Sequence, residues 1–207
     1  MSKNKLMNRI FLALLLAGVL LAYGGEQTHD ASLSVNAKVE QGQDKTEKEV
    51  RRTPKGSVVT TTVKTETETC TLEITVENQT EQKDSYQLEW FFISEKTSES
   101  ENGELSIFSS GKAEVTVAGG SSVTKTEVSK PFIFINRMNA VTGSGDRNQS
   151  QQIRGGDVYA GYLVLVKASG EILQKESNDA RFLTDKWLTQ TKATIKTTIP
   201  VRAKKKK

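Results

Sequence analysis

GGDVYAGYLVLVKASGEIL occupies residues 155–173, and the fold turns on whether its glycines cradle a phosphate or lead into a strand. A phosphate loop follows a strand and opens a helix, so that backbone amides and the helix terminus point at the anion. Here the glycines precede VYAGYLVLV, a β-branched and aromatic run with Tyr162, Val164 and Val166 on one face and Leu163 and Leu165 on the other. Lys167-Ala168-Ser169-Gly170 then turns the chain into EILQKES. No Lys-Ser/Thr pair follows Gly161, and no βαβ pattern surrounds it. The stretch predicts a hairpin, with Gly161 permitting a close backbone approach and Gly170 making the turn.

The same period of two extends upstream. Residues 57–80, SVVTTTVKTETETCTLEITVENQT, have the Thr and Val content of pleated, half-exposed strands. Their apolar phase is odd at Val59 and Val63 and even at Cys70, Leu72, Ile74 and Val76, which predicts two strands separated by a bulge near 65–68. DSYQLEWFFISEK puts Tyr86, Leu88, Trp90 and Phe92 on one face with Phe91 and Ile93 opposite, the pattern of a central strand covered on both sides. ELSIFSS, KAEVTVAGG, SSVTKTEVS and FIFIN read as further short strands between glycine turns. Before them, Leu33, Val35, Ala37 and Val39 alternate as one strand, and DKTEKEVRR reads as a solvated linker ending at Pro54. Residues 136–157, with four glycines and little periodicity, read as a long loop and the leading place for binding: Arg137, Asn139, Asp146, Arg147 and Arg154 are its candidate contacts. Phe182, Leu183, Trp187 and Leu188 fit either a short helix or a last strand. Trp90 reads as core, and Trp187 as core or as a platform for a sugar.

Charge divides the chain into parts. Lys3, Lys5 and Arg9 precede the apolar run from Ile10 to Ala22, whose 13 residues are too few to span a bilayer and fit a secretory leader cleaved between Gly24 and Gly25. The formal net charge of +4 is then misleading: the leader carries +3, residues 185–207 carry +7, and residues 25–184 carry −6. The terminal VRAKKKK reads as a solvated, disordered tail whose Lys204, Lys205, Lys206 and Lys207 are candidates for contact with an anionic surface. Specific nucleic-acid binding is not expected from it, since no aromatic residue interleaves the lysines and no nucleic-acid motif is present.

Little catalytic chemistry is legible. Beyond the leader there is one histidine, His29, on a polar segment that reads as too loose to hold a Ser-His-Asp constellation. The single cysteine, Cys70, has no partner in the chain and sits in the apolar phase, so it reads as a buried core residue. No cofactor and no metal site are expected. Glu66, Glu68, Glu73 and Glu77 read as a solvated face, although a pair of carboxylates meeting in one cleft would admit a glycan-active enzyme. Asn78 and Asn148 match glycosylation sequons and read as turn asparagines.

CTLEITVENQT, YQLEWFFIS, VTVAGGSSVTKTEVS and YAGYLVLVKASGEILQKESND together resemble the immunoglobulin-like or fibronectin-like β-sandwich of small secreted bacterial proteins, over about residues 69–180. The resemblance implies that Trp90 lies on a central strand and that Tyr162 takes the place of a corner tyrosine, while the bridging cysteines of true immunoglobulin domains are missing. The expected fold is therefore all-β: an antiparallel immunoglobulin-like β-sandwich of about seven to nine strands. Residues 1–24 form the leader, 25–56 a polar N-terminal segment with one strand, 57–183 the sandwich and 184–207 a C-terminal extension. The expected function is non-catalytic, an exported periplasmic or extracellular module that contacts an envelope protein or a glycan through loops or a strand edge. A carboxylate enzyme and electrostatic tethering by the lysine tail are the alternatives.

Overall fold

The computed structural model describes residues 29–98, 103–143 and 149–189. The leader with Gly24 and Gly25, the candidate contacts Asp146 and Arg147, the sequon at Asn148 and Lys204–Lys207 lie outside the described residues. Nine antiparallel strands are present among those described: β1 (Ala31–Gln41), β2 (Lys45–Arg52), β3 (Val58–Asn78), β4 (Asp84–Thr97), β5 (Glu104–Val117), β6 (Ser122–Val128), β7 (Phe132–Thr142), β8 (Gln149–Ala168) and β9 (Glu171–Ser177). A 3-10 turn at Ala180–Leu183, capped by the Asp179 carboxylate, and a helical turn over 185–189 follow. The chain is all-β, and residues 180–183 and 185–189 form helical turns rather than a strand.

The long strand β3 organises the rest. Its 21 residues run without a bulge, so the phase change read from its valines has another origin. On one edge it pairs first with β1 and then with β2; Gln41 lies opposite Glu68 and Lys45 opposite Thr65, four steps on the neighbour against three on β3. On the other edge it pairs with β6 and then β7, where Val128 opposite Thr71 and Phe132 opposite Glu68 give the same excess. The irregularity expected within β3 thus sits in both its neighbours, at 42–44 and 129–131. Gly42 N–H donates to the Thr67 carbonyl at 2.7 Å, and the Ser129 N–H and hydroxyl hold the Cys70 backbone at 2.8 and 2.9 Å.

Above that level the fold has two layers. The even side chains of β3 (Cys70, Leu72, Ile74, Val76) meet Tyr86, Leu88, Trp90 and Phe92 of β4 and Tyr162, Val164 and Val166 of β8 across a buried core. A third, smaller layer covers the outer face: Phe182 and Trp187 pack on Phe91, Ile93, Leu163 and Leu165. Trp187 is therefore core, with its ring edge-on to Phe182 at 5.0 Å. β4 is buried on both faces, as its sequence predicts. Its six large apolar side chains from Tyr86 to Ile93, at ~2 kcal/mol each, contribute burial comparable to the whole net stability of a small domain.

Below that level β2, the first half of β3, β7 and the first half of β8 continue as a single layer, a four-stranded arm. β8 shows the passage along one strand: exposed from Gln149 to Arg154, half-buried to Ala160, and buried from Tyr162 to Val166. Two readings change here. Residues 136–142 and 149–157 are not loop but belong to the paired strands β7 and β8, and the charged linker at 45–52 is a strand. The reason is common to both. Period-two patterning marks a strand only when one of its faces is buried, and a single layer has no buried face.

Three rings close the sandwich where the arm leaves it. Phe108, bulged out of the β4–β5 register, stacks on Phe132 at 4.3 Å, and Tyr159 meets Phe132 edge-on at 5.5 Å. The hairpin read at 155–173 holds, with a tight turn at Ser169 (φ 51°) and Gly170 (φ 87°). At Gly161 a Cβ would lie 2.4 Å from Asn178 Oδ1 and 2.7 Å from the Phe182 ring. Gly161→Ala is expected to destabilise the fold by ~2 kcal/mol, read as a lowered midpoint in urea. An unchanged midpoint would show that the C-terminal layer is not packed as described.

Candidate functional site

The arm carries two different faces, set by the alternation of its strands. On the front face β2 contributes Glu47, Glu49 and Arg51, β3 Val59, Thr61 and Val63, and β7 Arg137 and Asn139; these, together with Lys48, line a trough of about 700 Å³. Thr61 donates its hydroxyl proton to Asn139 Oδ1 at 3.0 Å across the β3–β7 pair. Ile135 and Ile153 continue this face towards the root of the arm. On the back face stand Lys48, Val50, Arg52, Lys64, Met138, Gln152 and Arg154. Of the candidate contacts read from sequence, Arg137 and Asn139 come together on the front, and Arg154 is turned away from them.

Charge is segregated along the molecule. Within the described arm, residues 45–65, 132–143 and 149–156, eight Lys or Arg stand against two Glu, a net of +6; the other described residues hold ten against 19 acidic ones, a net of −9. Both arm carboxylates, Glu47 and Glu49, lie on the front, where they pair with Lys45 at 2.5 Å and Arg51 at 2.7 Å. The back is cationic, with Lys64 drawn towards Asp44 and Glu66 at the root.

A cavity at the root of the arm brings carboxylates together among the described residues. Glu66, Glu68 and Asp157 share a cavity with Phe132, Phe134 and Val158, but at about 180 Å³ it is smaller than the pockets that enclose small ligands. Asp157 accepts a hydrogen bond from the Ser94 hydroxyl at 3.0 Å. Among the described residues no group of His, Cys, Asp or Glu is arranged to hold a metal ion.

At the opposite end of the sandwich lies a cluster that reading the sequence missed. The His29 imidazole contacts Asp84 Oδ2 through Nδ1 at 2.6 Å and the Ser169 hydroxyl through Nε2 at 3.0 Å. Ser169, His29 and Asp84 thus stand in the order of a Ser-His-Asp relay. His29 is held because strand β1 begins two residues later at Ala31, which is buried. Each member belongs to a different joint: the start of β1, the start of β4 and the β8–β9 turn. The turn itself accounts for the positive φ of Ser169, because a two-residue hairpin of this type needs it. The trough and the cavity both lie at the other end of the molecule.

The neighbouring contacts are of the same fastening kind. The Tyr86 hydroxyl lies 3.0 Å from the Asp30 carbonyl and 2.9 Å from Asn78 Oδ1, and burial pushes its pKa up to about 12. Asn78 is fully buried, with its amide donating to the Gln82 and Val117 carbonyls, so its sequon is closed in the folded chain. The tyrosine tie expected of Tyr162 falls to Tyr86; the Tyr162 hydroxyl faces Glu176 at 3.5 Å instead. Cys70 is fully buried and burial raises its thiol pKa, which suits a core residue.

No family model and no curated protein matches the chain. Among solved structures it is similar to the X-ray structure of Northeast Structural Genomics Consortium target SoR45, at 16% identity over 62% of this chain and 87% of that one, with a TM-score of 0.23. It is also similar to a crystal structure from Akkermansia muciniphila, at 11% identity over 79% and 81%, with a TM-score of 0.21. Likeness at this level carries no inference about the site.

The Asp84 cluster sets a pH dependence. Burial alone raises the Asp84 pKa, but the hydrogen bonds from His29 and the Ser85 N–H, with the charge of the imidazole, hold it below the ordinary 3.8. A carboxyl lowered in the folded state stabilises the fold above its unfolded value, and that contribution is lost as the pH falls through the folded one. His29→Ala is therefore expected to cost ~1–3 kcal/mol at neutral pH and to raise the pH of acid unfolding. An acid midpoint unmoved by the substitution would refute the fastening role.

Proposed function

We propose that this chain is an exported, non-catalytic binding module of the cell envelope that takes hold of another protein through its single-layer arm. The observation that carries this is where apolar surface remains. The large hydrophobic side chains left exposed among the described residues are Val39, Val50, Val128, Ile133, Ile135, Met138 and Ile153. All seven lie on the arm or on the strand ends beside its root. Exposed apolar residues scattered singly are ordinary, but their concentration on one element marks an interaction surface. A sheet also needs a second layer, and the arm has none among the described residues.

A protein partner fits better than a glycan. Among the described residues that line the trough none is aromatic, which gives a sugar ring no face to stack on there, whereas Val59, Val63 and the paired charges suit a peptide surface. Export follows from the basic start and apolar run of residues 3–22. The sandwich reads as an immunoglobulin-like variant in which Tyr86 supplies the tyrosine tie. The Ser169 hydroxyl serves as a fastening in this reading, and the Glu66 cavity is too small to favour glycan chemistry.

Two measurements test the proposal. A photo-crosslinking residue at Thr61, on the front of the arm, is expected to give a protein adduct in whole cells, while one at Thr124, on the outer face of β6, is not. Adducts from Thr124 alone, or none from Thr61, would count against the arm. A serine-directed fluorophosphonate is expected to leave Ser169 unlabelled; stoichiometric labelling that His29→Ala abolishes would replace the binding reading with a hydrolase.

A further inference from the structure

Resting on the reading of the arm as the interaction surface, we infer that its partner is a second copy of this chain, whose arm packs front to front on the first and supplies the missing layer. The two faces of the arm separate this from other pairings. Along the arm the back holds Arg52 and Arg154 with no carboxylate between residues 45 and 65 on that face, and the pairing of Lys64 with Glu66 and Asp44 lies at the root, so a copy of itself would be repelled. The front holds both signs, Glu47 and Glu49 with Arg51 and Arg137, around Val59 and Val63. A face with both signs is self-complementary when the same surface meets itself across a two-fold axis.

The register makes the pairing concrete. Glu47 and Arg137 both stand level with Val63, on its two sides. A two-fold axis parallel to the strands, between β3 and β7, lays β2 of one copy over β8 of the other and β3 over β7. Val59 and Val63 then face β7, and Glu47 comes within about one strand spacing, ~5 Å, of the partner's Arg137. Stacked sheets of this kind pack about 10 Å apart with interdigitated side chains, and those side chains would fill the trough.

Size is sufficient for a specific though not a tight pair. Four strands of eight residues present roughly 500 Å² on one face, so two copies bury about 1,000 Å² in all, at the lower end of specific interfaces. With the axis parallel to the strands both acidic sandwiches lie at the same end of the pair, so their mutual repulsion is expected to weaken it at low salt.

Sedimentation velocity of the protein expressed from its full sequence, over about 2–200 µM, is expected to show a concentration-dependent monomer–dimer equilibrium. Arg137→Glu places three carboxylates on the front and is expected to weaken the dimer at least tenfold. Adding Glu47→Arg to that variant is expected to restore most of it, and Arg52→Glu, on the back, is expected to leave it unchanged. Circular dichroism identifies any variant that fails to fold, and Ile153→Lys, at an exposed front position, gives a second disruption. A chain that stays monomeric at the highest concentration overturns the inference. So does a dimer that survives Arg137→Glu and Ile153→Lys, or one lost in Arg52→Glu alone. A monomer that still gives Thr61 adducts to a different protein refutes self-pairing and keeps the arm as a binding surface, whereas a monomer with no Thr61 adduct refutes both.

Discussion

An unbroken hydrogen-bonded ladder along β3 is the constraint from which the rest of the structure follows. Its 21 residues span two regimes, a covered half and an open half, while the strands on each side are interrupted at the same height. Those interruptions let β1 and β6 follow the curvature of the sandwich while β2 and β7 follow that of the arm. β4 carries matching irregularities on both of its edges, at Phe108 of β5 and Ala160 of β8. The bend in the layer of β4, β5 and β8 therefore falls close to the end of the layer of β1, β3 and β6. The rings of Phe108, Phe132 and Tyr159 fill the junction that these bends create.

The two ends of the sandwich are finished by different chemistry. Far from the arm, the strand starts and the β8–β9 turn are tied by polar contacts, His29 to Asp84 and Ser169, and Tyr86 to Asp30 and Asn78. These contacts bridge residues 55 and 140 positions apart in sequence, so they form only when the fold is complete. Near the arm the closure is aromatic. A polar end held by directional bonds fixes the relative position of the two sheets, whereas the aromatic end excludes water from the core without prescribing what the arm does beyond it. The molecule is thus fastened at one end and open at the other.

How much of this was legible in the sequence depended on burial. β4 was readable on both faces because both are covered, and the 155–173 hairpin because its tight turn and apolar alternation agree. The odd-to-even change between Val63 and Cys70 was a true signal with the wrong cause: the chain keeps its alternation and changes its surroundings. β2, the end of β7 past Asn136 and the start of β8 gave no strand signal because neither face of the arm is buried, so charged and polar residues are tolerated along them. Arg137 and Asn139 were singled out as loop residues and are strand residues on the trough. His29 was dismissed for its place near a polar terminus; the strand beginning at Ala31 was the signal that it is anchored. The Ser169 and Asp84 contacts are long-range, and no local pattern announces them.

The graded burial of β8, exposed at one end and enclosed at the other, has a mechanical consequence. Any load applied at the arm enters the body along the axes of β3 and β8, whose far halves lie between β1 and β6 and between β4 and β9. Because inter-strand hydrogen bonds lie across the strand direction, such a pull strains the whole row together in shear rather than parting it one bond at a time. The arm is rooted as a tang is in a handle, and force taken up at its tip is shared by the entire core.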